Sequence, residues 1–124
     1  NPLLSAIFIY GGLNMKIYLV ATIKNIESNL EAKMNGTFGM ARVYGTRVVG
    51  YYPTLEEAKK CVEENWGDIQ ECYYKYAVIE DVEPGLYRTT ESTPLWYKWS
   101  KAQEKFLPID KPAQLSQLFG FTIG

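Results

Sequence analysis

The spacing of apolar and polar positions along the chain predicts several short strands and one amphipathic helix. Residues 16–23 (KIYLVATI) are apolar and rich in β-branched side chains, as in a buried first strand. Residues 25–36 (NIESNLEAKMNG) are polar, with Asn25, Asn29, Asn35 and Gly36 as turn formers, and predict a loop. Residues 37–52 (TFGMARVYGTRVVGYY) predict a hairpin or a bulged strand with Gly45 at the break. Pro53 ends that run, and Thr54-Leu55-Glu56-Glu57 has the form of a capping box. The helix it starts extends to about residue 65, with Leu55, Ala58, Cys61 and Val62 on its buried face. After a turn at Trp66-Gly67-Asp68, residues 73–82 (YYKYAVIEDV) form a strong strand signal, and Glu83-Pro84-Gly85 a turn leading to Leu86-Tyr87-Arg88.

Residues 95–99 (LWYKW) and 105–109 (KFLPI) predict a second hairpin, joined through residues 101–104. Lys111-Pro112-Ala113 suits the first turn of a short helix, and residues 118–123 (LFGFTI) a closing strand. The order lacks the βαβ alternation of a parallel sheet. The expected fold class is therefore α+β: an antiparallel β-sheet of five to seven short strands with one main α-helix, at about 54–65, packed on one face.

A length of 124 residues fits one domain. Residues 15–124 are expected to be a single α+β ligand-binding domain, with residues 1–14 a non-native upstream extension. Met15 opens a better beginning than Asn1. Back-translated with A/T-rich codons, Tyr10-Gly11-Gly12-Leu13-Asn14-Met15 carries GGAGG a few bases before an ATG, the layout of a bacterial ribosome-binding site. The apolar run at residues 6–10 is too short to span a bilayer, and no signal-peptide cleavage site follows.

Composition narrows the chemistry. Thirteen basic residues stand against 14 acidic ones, giving a net charge of −1. Duplex nucleic acid is thus not an expected partner, since its binders carry a basic face. A small anion needs only two or three local cations. Histidine is absent altogether. That excludes Ser-His-Asp and Cys-His nucleophiles and the usual zinc and iron ligand sets. Cys61 and Cys72 have no CxxC spacing and are expected to be reduced structural thiols, in keeping with a cytoplasmic protein. Glu80 and Asp81 are adjacent on a strand and point to opposite faces, so they cannot act as a pair. With Asp68 and Glu71 they are expected to be solvated or capping charges. No metal or cofactor is called for.

Two clusters remain as candidate ligand-binding residues. Arg42, Tyr44, Thr46 and Arg47 bring two guanidiniums, a phenol and a hydroxyl within six residues, a set that chelates phosphate oxygens and stacks on a purine. A charge-protected strand edge would need the same residues. Arg88, Trp96, Lys98 and Trp99 form the second cluster. Trp96 and Lys98 share one strand face, Tyr97 and Trp99 the other, which suits a core, a subunit interface or a stacking platform. Eighteen aromatic residues, 10 Tyr, 5 Phe and 3 Trp, favour any of these roles.

Thr46-Arg47, Gly50-Tyr51-Tyr52, Thr54-Leu55-Glu56-Glu57-Ala58, Glu64-Asn65, Gly67-Asp68-Ile69 with Glu71, Tyr76-Ala77-Val78-Ile79-Glu80 and the Trp96…Trp99 hairpin resemble small proteins of phages and prophages. The chain from residue 15 to 124 is similar to the first-discovered family of Thoeris anti-defence proteins. That resemblance implies viral counter-defence in the host bacterial cytoplasm. The protein would bind a cyclic ADP-ribose isomer, hold it uncut, and so keep the host defence effector inactive. It also implies a homo-oligomer, dimer or hexamer, with ligand pockets at the dimer interface and in some members a second site for cyclic oligonucleotides. A bisphosphate purine would draw on Arg42, Arg47 and Arg88, the only arginines, with Asn65 on a ribose and Tyr44, Thr46, Trp96 and Lys98 nearby. Arg47→Ala is then expected to weaken retention with little change in melting temperature. Two other functions fit the same residues: a protein-binding inhibitor using an aromatic surface, and a hydrolase of the same signal using Asp68, Glu71 or Glu80.

Overall fold

A computed structural model describes residues 16–27, 42–83 and 94–112. Its elements in chain order are β1 (Ile17–Ile23), β2 (Asn25–Glu27), β3 (Arg42–Tyr44), β4 (Arg47–Tyr52), α1 (Leu55–Glu63), β5 (Tyr76–Val82), β6 (Leu95–Ser100) and β7 (Lys105–Ile109), with a 3₁₀ turn at Trp66–Asp68. Five strands form one antiparallel sheet in the order β4-β1-β5-β6-β7, and α1 packs on one face of it. The α+β fold expected from the sequence is the fold observed. Among the described residues, no helix is long and apolar enough to cross a membrane.

The helix starts where its cap dictates. Thr54 is extended at φ −125°, and its hydroxyl accepts the Glu57 N–H at 3.3 Å. Ala58, Cys61 and Val62, spaced three and four apart, face the sheet and pack with Val20, Ala77, Ile79, Tyr97 and Phe106. On the opposite face of the sheet, Ala21, Ile23, Val78 and Trp96 make a second core with Ile26. Two apolar faces explain why β1 reads as a continuous apolar run rather than an alternating one.

Residues 37–52 do not fold back on themselves within the described part. β3 and β4 are two halves of one bent strand. Thr22 pairs with Arg47, and after the bend Asn25 pairs with Tyr44, so the two halves keep a single register against residues 21–27. Asn25–Glu27, expected to be loop, is therefore a strand. The bend needs Gly45, whose φ is +65° and whose missing Cβ would lie 2.8 Å from the Lys24 Cβ. Beyond it, Ile26 and Val43 fold onto the second core. A bulge at Val49 shifts the β1–β4 register between Val20 and Ala21. The second hairpin, β6–β7, stands as expected. Of the turn expected at 83–85 only Glu83 is among the described residues, and of the short helix expected at 111–113 only Lys111 and Pro112. The closing strand at 118–123 lies wholly outside them.

Candidate functional site

Three bends meet at one corner of the sheet: Lys24 between β1 and β2, Gly45-Thr46 between β3 and β4, and the turn from Asn65 to Tyr73 that follows α1. Arg47 ties them together. Its Nε donates to Thr22 Oγ1 at 3.2 Å, one terminal nitrogen to the Ile69 carbonyl at 3.1 Å, and the other to Glu71 Oε1 at 3.0 Å. The guanidinium lies over the Tyr74 ring at 4.4 Å. Tyr74 stacks on Tyr73, centroids 4.7 Å apart, and the Lys24 ammonium lies 5.3 Å from the Tyr73 centroid. Two tyrosines in a stack thus carry one cation each. Tyr74 is buried, whereas Tyr73 is 48% exposed. Its phenol donates to Glu71 Oε2 at 3.4 Å. Interaction with Tyr74 first, then a little burial and the neighbouring Glu71, pushes its pKa up.

The turn below is built from left-handed residues: Asn65, Gly67, Asp68, Glu71 and Cys72 all have φ between 46° and 67°. Asn65 organises it. Its Oδ1 accepts the Gln70 N–H at 3.0 Å, and its Nδ2 donates to Asp68 Oδ1 at 3.2 Å. Gln70 Oε1 in turn accepts the Cys72 N–H at 2.9 Å.

The residues expected to bind ligand are therefore not gathered into one pocket. Arg47 and Asn65 reach the same turn, but both hold it together rather than pointing into open space. Thr46 is exposed beside them. Arg42 and Tyr44 take their backbone places on β3; their side chains, and all of Arg88, lie outside what is described. Trp96 is 2% exposed within the second core, so it is no stacking platform. Its partner Trp99 packs edge-on against Phe106 at 5.1 Å. Lys98 is exposed on the Trp96 face of β6, 5.8 Å from the Tyr76 ring, two strands across from Ile23.

Other expectations change as well. Glu80 is not a solvated charge: at 2% exposed it lies on the face of β5 shared with Val78, opposite Leu19. Asp68 and Glu71 do serve the turn. Cys61 is buried on the sheet-facing side of α1 and Cys72 is exposed, both free thiols, so only Cys61 is placed structurally. Sequence reasoning missed Lys24 and the Tyr73-Tyr74 pair. A lysine closing an apolar run and a tyrosine doublet at the start of the 73–82 strand signal were the available cues; the strand itself begins only at Tyr76.

Among the described residues, two clefts lie away from this corner. One, of about 210 Å³, runs between Tyr18, Leu55 and Leu95, and its lysine, Lys16, is paired with Asp81 at 3.6 Å. The other, of about 350 Å³, sets Lys59 and Lys111 against Glu63 and Asp110. Neither offers an excess of positive charge. The corner sets Lys24 and Arg47 against Glu71, with Asp68 on the same turn bonded to Asn65. Among the described residues, no group of three or more Cys, Asp or Glu is placed to hold a metal ion.

No protein-family model matches the chain, and neither a curated protein nor a solved structure is significantly similar to it.

Proposed function

We propose that the protein binds a cyclic ADP-ribose-type nucleotide at this corner and sequesters it without cutting it, as a phage counter-defence protein acting in the host bacterial cytoplasm. The observation that carries the proposal is the Tyr73–Tyr74 stack with Lys24 on its outer ring and Arg47 on its inner one. A purine stacks on the half-exposed Tyr73, stiffened from behind by Tyr74, by displacing the exposed Lys24 side chain from over the ring. Lys24 and the Thr46 hydroxyl lie at the same bend, where a phosphate finds a cation and a donor. The sequence resemblance described above supplies the ligand class. The absence of histidine favours holding over hydrolysis.

Tight retention, about −12 kcal/mol at nanomolar affinity, requires an enclosed pocket. An open corner reaches it by pairing with a second copy of the chain, as the resemblance implies. The direct experiment is incubation with a cyclic ADP-ribose isomer, filtration, then heat release. Depletion with full recovery supports sequestration, depletion without recovery makes the protein a hydrolase, and no depletion rejects both.

A second reading has its own observation. Val48 and Tyr51 are 47% and 67% exposed on the face of β4 turned away from the Arg47 network. An apolar aromatic patch of that kind suits a protein partner. The inhibitor reading predicts that Tyr51→Lys abolishes counter-defence while nucleotide retention stays intact.

A further inference from the structure

The contacts of Arg47 are of two kinds. Those to Thr22 Oγ1 and the Ile69 carbonyl are partly buried and hold the guanidinium in place, whereas the contact to Glu71 is at the surface. Side-chain exposure is 35% for Arg47 and 45% for Glu71. One terminal nitrogen of a fixed guanidinium is thus covered only by a solvent-accessible carboxylate.

That carboxylate sits on a strained backbone. Glu71 and Cys72 follow one another at φ 46° and 67°, and neither is glycine or asparagine. In that conformation each Cβ crowds the following carbonyl oxygen, so the backbone is disfavoured at both positions. The ion pair to Arg47 and the bond from the Tyr73 phenol hold Glu71 there.

We propose that Glu71 is a resident anion, an autoinhibitory contact that occupies Arg47 in the unliganded protein. A ligand phosphate displaces it. This rests on the corner being the nucleotide site. A diphosphate carries more charge than a carboxylate and accepts two guanidinium N–H bonds at once, so it is the stronger partner for the same nitrogen. Arg47 need not leave Thr22 or Ile69 for the exchange. Release of Glu71 frees the Tyr73 phenol and lets the left-handed pair at 71–72 relax, so binding loosens the turn at 69–73. An arginine committed to the fold thereby becomes a second cation beside Lys24.

The test is calorimetric titration of inorganic pyrophosphate into the wild type, Glu71→Gln and Asp68→Asn, with cyclic ADP-ribose titrated in parallel. Hydrogen exchange of residues 69–73 in the wild type is followed with and without pyrophosphate. Glu71→Gln is expected to bind pyrophosphate about five-fold more tightly, from the loss of a competing charge next to Arg47. Asp68→Asn, on the same turn but off Arg47, should stay within about two-fold of wild type. Exchange at 69–73 is expected to quicken when pyrophosphate is bound. Equal affinity in Glu71→Gln and wild type, or exchange that slows or does not change, overturns the inference. If wild type binds cyclic ADP-ribose but Glu71→Gln binds neither ligand more tightly, only the inference falls. If wild type binds neither ligand, the corner is not the nucleotide site and both fall together.

Discussion

Arg47 opens β4 opposite Thr22, and its side chain reaches across to the turn after α1. Two of its hydrogen bonds are to groups that cannot follow it if it is removed: a buried threonine hydroxyl and a main-chain carbonyl. The exposed ion pair adds little. Leaving those acceptors unpaired and Tyr74 uncovered costs about 2 kcal/mol in Arg47→Ala. Chemical denaturation should show that loss, against the sequence-based expectation of an unchanged melting temperature. An arginine inside a polar strand cluster looks the same whether it waits for a ligand or clamps a turn. Its partners lie 22 to 25 residues away, at Thr22, Ile69 and Glu71, and no local pattern announces them.

At the scale of elements, the chain bends where its side chains allow it. The β1–β4 ladder continues as β2–β3 only because Gly45 takes a positive φ in contact with Lys24. Gly45→Ala adds left-handed strain and a contact at 2.8 Å with a Cβ that cannot swing away. The expected cost is about 2–3 kcal/mol, read in a urea transition. A normal midpoint for that variant would mean the bend is softer than its geometry implies. The helix was legible because its cap and its 3–4 spacing are local, and β6–β7 because each strand is apolar and the link short. The division of 42–52 between two sheets was not, since alternation reports which face a residue takes and not which sheet it joins. Asn25–Glu27 misled for a related reason: a three-residue strand starting on Asn25 carries too little apolar signal to outweigh its turn formers.

The described residues form a sheet with an apolar core on each face, and two phenols lie in or against the helix-side core. Tyr97 donates to Glu63 at 3.5 Å, and burial, with the Glu63 charge second, pushes its pKa up to about 12. Tyr52 rises to about 12 as well, chiefly through its hydrogen bond with Cys61. An unfolded tyrosine ionises near 10. The folded state favours the neutral phenol, so this contribution is whole below pH 10 and is lost as pH rises from about 10 to 12. Unfolding free energy should fall across that interval, and Tyr97→Phe should flatten the fall.

The corner itself was half legible. Thr46, Arg47 and Asn65 were singled out by residue type, but Lys24 and Tyr73 join them only through the bend and the turn. Tyr73 is the sharpest probe of the claim that this corner holds a purine nucleotide, because its exposed ring contributes little to the core. Calorimetric titration of a cyclic ADP-ribose isomer into wild type and Tyr73→Ala measures that directly. Loss of one stacking face is expected to weaken binding about ten- to a hundred-fold with the fold intact. Equal affinity for the two proteins, or none for the wild type, would contradict it.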